Sequence, residues 1–143
     1  MIKCIVSGAK GRMGTKILSE ALKQCDIEVV GALCRPGDIA VGTRNPNGVA
    51  FVDSLSELET DRAILVEFST PQATITHLEQ ALRIGMPVVI GTTGFTEEQE
   101  RSIFEASQRI PIIESHNYGI GMNAFWEILK VAVGIWEMIT ILR

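Results

Sequence analysis

Met1-Ile-Lys-Cys-Ile-Val-Ser7, followed at once by Gly8-Ala-Lys-Gly-Arg-Met-Gly14, is the stretch that decides the fold. The first half reads as a short apolar strand. The second half is a glycine-rich turn, after which a helical pattern begins. Strand, glycine turn and helix in that order give such a motif physical meaning. Glycine lets the chain turn tightly off the strand and lets backbone approach a pyrophosphate. The new helix aims its free N–H groups and the positive end of its dipole at the phosphates. The spacing is G-x-x-G-x-x-G rather than the stricter G-x-G-x-x-G.

Beyond this turn the pattern repeats. Lys16 to Gln24 continues a helix with Ile17, Leu18, Ala21 and Leu22 on one face. Ile27 to Cys34 is a second strand, which completes a βαβ unit. Arg35 to Ala50 is rich in Gly, Pro and Asn and reads as loop. One helical turn is expected within Ser54 to Leu58. Ala63 to Phe68 is a third strand. Thr70 caps the next helix, with Pro71 at its first position and Gly85 at its end. Pro87 to Ile90 is a fourth strand. Thr96 and Gln99 form a capping box for a helix over Glu97 to Gln108. Ile110 to Ile113 is a fifth strand, and the chain is helical in pattern from Asn123.

Strands alternating with helices predict an α/β fold of Rossmann type: a doubly wound, mostly parallel sheet with helices on both faces. At 143 residues, 46% of them hydrophobic, the chain can bury such a sheet. We divide it into a dinucleotide-binding domain over residues 1–123 and an apolar C-terminal helix over 124–143. The net charge of −4 offers no basic patch for nucleic acid, although Lys3, Lys10, Arg12 and Lys16 gather near the glycine turn in sequence. Cys4, Cys25 and Cys34 are odd in number and form no C-x-x-C pair, and no signal peptide is visible, so a reducing, cytoplasmic setting is expected. Cys4 reads as a small core hydrophobe.

Ligands on such sheets bind at the carboxyl ends of the strands. Those ends carry Gly8–Gly14, Cys34–Arg35, Ser69–Thr70, Gly91–Thr93 and Ser115–Tyr118. An acid about 20 residues past the glycines binds the adenosine ribose in many dinucleotide-binding proteins. Here Cys34 and Arg35 stand at that distance, and an arginine suits the 2′-phosphate of NADPH over NADH. Thr92 and Thr93 offer hydroxyls and N–H groups for a nicotinamide amide or a substrate carboxylate; plain turn chemistry would also explain them. His116 is a possible proton carrier beside Asn117 and Tyr118, although a histidine on a binding loop more often bonds or packs. His77 reads as a partly exposed helix residue. Glu67, an isolated carboxylate at a strand end, needs no function. No metal-ligand spacing, nucleophile elbow or Walker motif is present.

Four segments, Gly8-Ala-Lys-Gly-Arg-Met-Gly14, Glu67-Phe-Ser-Thr-Pro71, Val89-Ile-Gly-Thr-Thr-Gly-Phe95 and His116-Asn-Tyr-Gly-Ile-Gly-Met-Asn123, stand in one order over nearly the whole chain. Together they resemble the dihydrodipicolinate reductase family. The resemblance implies NADH- or NADPH-dependent reduction of 4-hydroxy-tetrahydrodipicolinate on the diaminopimelate route to lysine. It implies that Gly8, Ala9, Lys10, Gly11, Arg12 and Met13 hold the pyrophosphate and that Arg35 meets the adenosine end. Gly91, Thr92 and Thr93 would line the nicotinamide and substrate side, closed over by Ser115, His116, Asn117 and Tyr118. Family members continue into a second domain with a His-His-x-x-Lys motif and a Pro-Ser-Gly-Thr segment. Neither motif occurs here, so no catalytic residue is expected in this chain. Family members also often carry an acid where Cys34 stands and a serine where Gly119 stands.

The C-terminal stretch has little polar face: Phe125, Trp126, Ile128, Leu129, Val131, Val133, Ile135, Trp136, Met138, Ile139, Ile141 and Leu142 are all apolar. Glu127, Lys130 and Glu137 argue against a membrane span. A helix apolar all round is normally buried, so it is expected to dock on the sheet, with an end that meets the absent domain or another subunit. The expected partners are therefore a small-molecule substrate and either a second copy or the absent domain, with no nucleic acid and no membrane. The alternative reading is a non-catalytic nucleotide-binding or scaffold module acting through this helix.

Overall fold

A computed structural model describes the backbone of residues 1–141 and the side chains of residues 1–135. The apolar run Cys4–Ile5–Val6 is buried throughout, because alternate residues of one strand face opposite sides of a sheet covered on both. This strand, β1 (Ile2–Ser7), leads through the glycine turn into α1 (Arg12–Ala21), then β2 (Ile27–Leu33) and the two-residue β3 (Phe51–Val52). A single 3₁₀ turn (Leu55–Glu57) precedes β4 (Ala63–Glu67). Then come α2 (Pro71–Ile84), β5 (Val88–Ile90), α3 (Glu97–Ser107), β6 (Ile112–Glu114) and α4 (Ile120–Ile141).

All six strands are parallel, in the order β3-β2-β1-β4-β5-β6. The chain winds outward from β1 in one direction, then returns to β4 and winds outward in the other. Two apolar clusters result. Ile5, Leu33, Leu65 and Ile90 pack on one face with Leu78 of α2 and Ile103 of α3. Cys4, Val6 and Ala32 pack on the other with Leu18 of α1. Helices therefore cover both faces, as expected, and Cys4 is a core residue.

The caps read from the sequence are present. Thr70 accepts from the Ala73 N–H, Pro71 opens α2, and Gly85 closes it in the left-handed conformation at φ 69°. Thr96 and Gln99 cap each other's backbone at the start of α3.

Several expectations are corrected. Helix α1 begins at Arg12, within the glycine turn rather than after it, and ends at Ala21, so Gly14 lies inside it. The segment after Arg35 ends in a strand, β3, whose two residues are too few to show any periodicity. β6 starts two residues later than the apolar run suggests, beyond Pro111, which has no N–H to give a ladder and here only accepts from Val88 N–H. Lys3 does not join the basic group at the glycine turn. It lies at the opposite end of β1, 2.9 Å from Glu59, whose hydrogen bond raises the ammonium pKa. The largest correction concerns α4. It does not dock on the sheet: Phe125, Trp126, Ile128, Val131, Val133 and Ile135 are all exposed. Trp136, Glu137, Met138, Ile139, Ile141 and Leu142 lie outside the residues whose side chains are described.

Candidate nucleotide-binding cleft

The register of the sheet places Leu33, Ser7, Glu67, Ile90 and Glu114 in one row across adjacent strands. Each of the five loops singled out in the sequence leaves from this row, so all of them lie along one edge. The winding direction reverses between β1 and β4, which is where open α/β sheets form a crevice. A cleft of about 650 Å³ lies there, lined by Ser7, Gly8, Lys10 and Gly11 on one side and by Phe68, Ser69, Thr70 and His77 on another. Leu33, Cys34, Arg35, Pro36 and Asp38 form its far wall.

The glycine turn is built from backbone packing. Gly8 sits at φ 68°, and a Cβ there would come within 2.8 Å of the Phe68 carbonyl carbon. Gly14 is packed so closely on the turn that a Cβ would lie 2.6 Å from the Gly8 carbonyl carbon. The Gly11 N–H closes the turn on the Gly8 carbonyl at 2.8 Å. Gly11 then serves as the N-cap of α1, where no side chain caps the free N–H groups and no acid stands in the first turn. Helices α2 and α3 are both side-chain capped. An uncapped helix end above a glycine cradle fits a pyrophosphate, whose oxygens would supply the acceptors that a capping side chain otherwise provides.

The predicted residues fall into two groups. Gly8, Lys10, Gly11 and Arg35 line the cleft. Ala9 is buried behind the turn, its N–H bonded to the Leu33 carbonyl, while Arg12 and Met13 are exposed on the first turn of α1. Lys10 stands 5.5 Å from the centre of the Phe51 ring. The Arg35 guanidinium is largely exposed and 3.8 Å from Asp38. The Cys34 thiol is buried, which raises its pKa; Asp38 adds to the rise and Lys10 opposes it.

Gly91, Thr92, Thr93 and Ser115–Tyr118 do not line this cleft. They sit further along the same edge, at the ends of β5 and β6. Thr92 is buried and accepts a hydrogen bond from the Thr74 hydroxyl at 3.0 Å. Gly91 lies against the Phe68 ring, leaving no room for a Cβ. Thr93 is exposed. The Tyr118 hydroxyl donates to the carbonyl of Ile90 at 2.8 Å, which ties the segment after β6 to β5, and burial raises its pKa. Ser115 and Asn117 bond each other, and His116 is exposed.

Sequence reasoning missed the floor of the cleft. His77 is not a partly exposed helix residue, and Glu67 is not isolated. Both are buried, and Glu67 Oε2 lies 2.7 Å from His77 Nδ1. Glu67 Oε1 accepts from the Ser69 N–H at 3.0 Å, and the Ser7 hydroxyl is 3.3 Å from the same His77 nitrogen. The three side chains come from β4, α2 and β1, so only the fold brings them together. They are not a nucleophilic triad: Ser7 is fully buried and meets the ring nitrogen that already faces the acid, so the imidazole cannot relay a proton between them.

A parallel sheet in this strand order, with a glycine turn feeding an uncapped helix at the point of reversal, defines a Rossmann-type α/β protein. Comparison with known proteins narrows the class. The family model described as dihydrodipicolinate reductase, N-terminus, matches residues 2–118. The chain belongs to the dihydrodipicolinate reductase family. It is 35% identical over 140 residues to a 4-hydroxy-tetrahydrodipicolinate reductase of Ralstonia nicotianae, covering 94% of this chain and 53% of the relative. It is 33% identical over 137 residues to that of Burkholderia multivorans, with 92% and 52% covered. A dipicolinate-bound dihydrodipicolinate reductase from Paenisporosarcina sp. TG-14 shares the fold at a TM-score of 0.68 and 22% identity, over 85% of this chain and 49% of that one. The chain thus spans about half the length of the relatives it matches.

Proposed function

We propose that this chain is the cofactor-binding half of a reductase that converts 4-hydroxy-tetrahydrodipicolinate to tetrahydrodipicolinate with NADPH or NADH, in lysine and diaminopimelate biosynthesis. The observation that carries the reading is the glycine turn and uncapped α1 opening onto a cleft whose far wall holds Arg35. In this reading Gly8, Ala9, Lys10, Gly11, Arg12 and Met13 cradle the pyrophosphate. Arg35 meets the adenosine end, and its charge favours NADPH. Gly91, Thr92, Thr93 and Ser115–Tyr118, further along the same edge, serve the nicotinamide. The bound nicotinamide supplies a hydride; the chain's own residues bind and orient it. The sequence has no His-His-x-x-Lys segment, its histidines being His77 and His116. The chain alone is therefore weakly active or inactive. Its partners are a small-molecule substrate and, through α4, a second copy or the remaining half of the enzyme.

Fluorescence titration with NADPH and with NADH tests the reading, and saturable binding is expected. Absence of saturation by either nucleotide sinks it. An assay coupled to dihydrodipicolinate synthase tests the second part; robust turnover by the 143-residue chain contradicts it. The exposed apolar α4 favours a second reading, a nucleotide-binding scaffold module, which co-purification with a distinct partner protein would support.

A further inference from the structure

The buried pair beneath the cleft has a chemical consequence for whatever binds above it. Both oxygens of Glu67 are committed, Oε1 to the Ser69 N–H at 3.0 Å and Oε2 to His77 Nδ1 at 2.7 Å. A carboxylate can only accept, so the proton between Glu67 and His77 belongs to Nδ1. The short distance and the amide already donated to Oε1 suit the ionised acid. The Ser7 hydroxyl, 3.3 Å from Nδ1, can take a share of the same N–H. A neutral imidazole with its proton on Nδ1 leaves Nε2 as a bare acceptor. His77 Nε2 has no hydrogen-bond partner among the described residues, yet the only fully buried unpartnered side-chain polar atom among them is Gln80 Oε1. His77 also lines the cleft. Nε2 is therefore the ring nitrogen that the cleft sees.

We propose that Glu67 is a positioning residue that fixes the His77 tautomer, so that Nε2 presents a lone pair to the cleft and takes a hydroxyl or amino donor of the bound nucleotide. The inference rests on the reading of this cleft as the nucleotide site. It assigns a polarity to the floor: acceptor, opposite in sense to the N–H groups of α1 and the cations Lys10 and Arg35 elsewhere on the walls. One cleft then presents donors to phosphate and an acceptor to the nucleoside.

The test is imidazole ¹⁵N–¹H correlation spectroscopy on the full chain, with and without NADPH. The His77 signals are assigned by the loss of the others in His116→Asn. In the free wild-type chain His77 is expected to carry its proton on Nδ1, and saturation with NADPH is expected to shift Nε2. In Glu67→Gln the amide keeps one acceptor for Ser69 and turns its NH₂ toward His77. This moves the ring proton to Nε2 and weakens NADPH binding by about tenfold, the size of one hydrogen bond. His77→Gln, which can return an acceptor near the Nε2 position, is expected to recover most of the affinity that His77→Phe loses. A proton found on Nε2 in the free wild-type chain overturns the proposal. So does saturable NADPH binding that leaves Nε2 unmoved, or wild-type affinity in a folded Glu67→Gln. If no nicotinamide nucleotide binds, the reading of the site falls and this inference with it, a result distinct from saturation without a shift. The wild-type spectra decide the matter even if the variants do not fold.

Discussion

Gly14 shows how a single missing atom sets the geometry of the cleft. It lies inside α1, where alanine is the better helix former by about 1 kcal/mol. Yet a Cβ there would press into the Gly8 carbonyl group, and the turn has no slack because Gly11 N–H closes it. Overpacking of this kind costs roughly 1–3 kcal/mol, so the clash outweighs the propensity gain. Gly14→Ala is expected to lower stability in urea unfolding and to weaken nucleotide binding; an unchanged or raised midpoint would show that the turn can yield. Arg35 makes the opposite kind of contribution, since it is exposed and contributes little to the fold. If it meets a 2′-phosphate, Arg35→Ala should lower NADPH affinity about tenfold and leave NADH affinity nearly unchanged; equal losses for both nucleotides would refute that role. Cys34, buried on the same wall, has a thiol pKa raised chiefly by burial, so less of it is thiolate at neutral pH. Exposed Cys25 should therefore react first with a maleimide, Cys34 should follow only as the pH rises past the ordinary thiol range, and bound nucleotide should protect Cys34 alone. The sign for stability is the same: the contribution of a thiol whose folded pKa is raised is complete below its unfolded pKa and fades as pH climbs through the folded one.

The helices differ in how their first turns are finished. α3 begins with a reciprocal capping box, Thr96 with Gln99, followed by Glu97, Glu98 and Glu100 near the positive end of its dipole. Thr96→Ala is expected to cost about 1 kcal/mol in chemical denaturation with nucleotide affinity untouched; a change below a few tenths would mean that the box is redundant with the acids. α1 has neither cap nor acid, and its N-cap Gly11 lines the cleft, which the capped first turn of α2 lines from the other side. These local features were legible in the sequence because each depends on neighbours in the chain: Thr70 before Pro71, Gly85 after Ile84, Thr96 three residues before Gln99. The order of elements and the edge carrying the five loops were legible for the same reason, since a parallel sheet follows from regular alternation of strand and helix. What stayed hidden depends on distant partners. His77 and Glu67 look unremarkable along the chain, and only the crossover from β4 through α2 back to β5 lays one over the other and both beside Ser7 of β1. β3 is hidden because two residues carry no period; its existence is decided by pairing with β2, just beyond which the Cys34 N–H bonds the Val52 carbonyl. The placement of α4 was not legible either: an all-apolar helix does belong in an interior, but here Phe125, Ile128 and Val131 stay exposed.

The exposed side chains of α4 govern how the chain behaves in solution. On one face α1 packs over β1 and β2, and on the other α2 and α3 cover the sheet, while Ile113 of β6, in the row of Val6, Val66 and Val89 on the α1 face, is 62% exposed. Phe125, Ile128, Val131 and Ile135 recur at helical spacing along one side of it, with Ile128 65% and Val131 64% exposed, and Trp126 and Val133 project elsewhere around the helix. The polar relief is slight: Lys130 and Glu127 pair with each other at 2.6 Å, and as an exposed ion pair they contribute little. Among the described residues no helix is long and apolar enough to cross a membrane. An apolar surface of this kind lowers its free energy by association, at about 25 cal/mol for each Å² removed from water. On the proposed reading the half of the relatives that this chain does not span would lie against it, and in the isolated chain a second copy takes that place. Light scattering coupled to size exclusion should show the wild-type chain above monomer mass at tens of micromolar, with the mass falling on dilution. Ile128→Glu with Val131→Glu should return it to a monomer while leaving NADPH titration unchanged, because both residues lie on α4 and outside the cleft. A wild-type chain that stays monomeric at these concentrations would mean that α4 covers its own apolar side chains by another route, and the pairing role assigned to it would be lost.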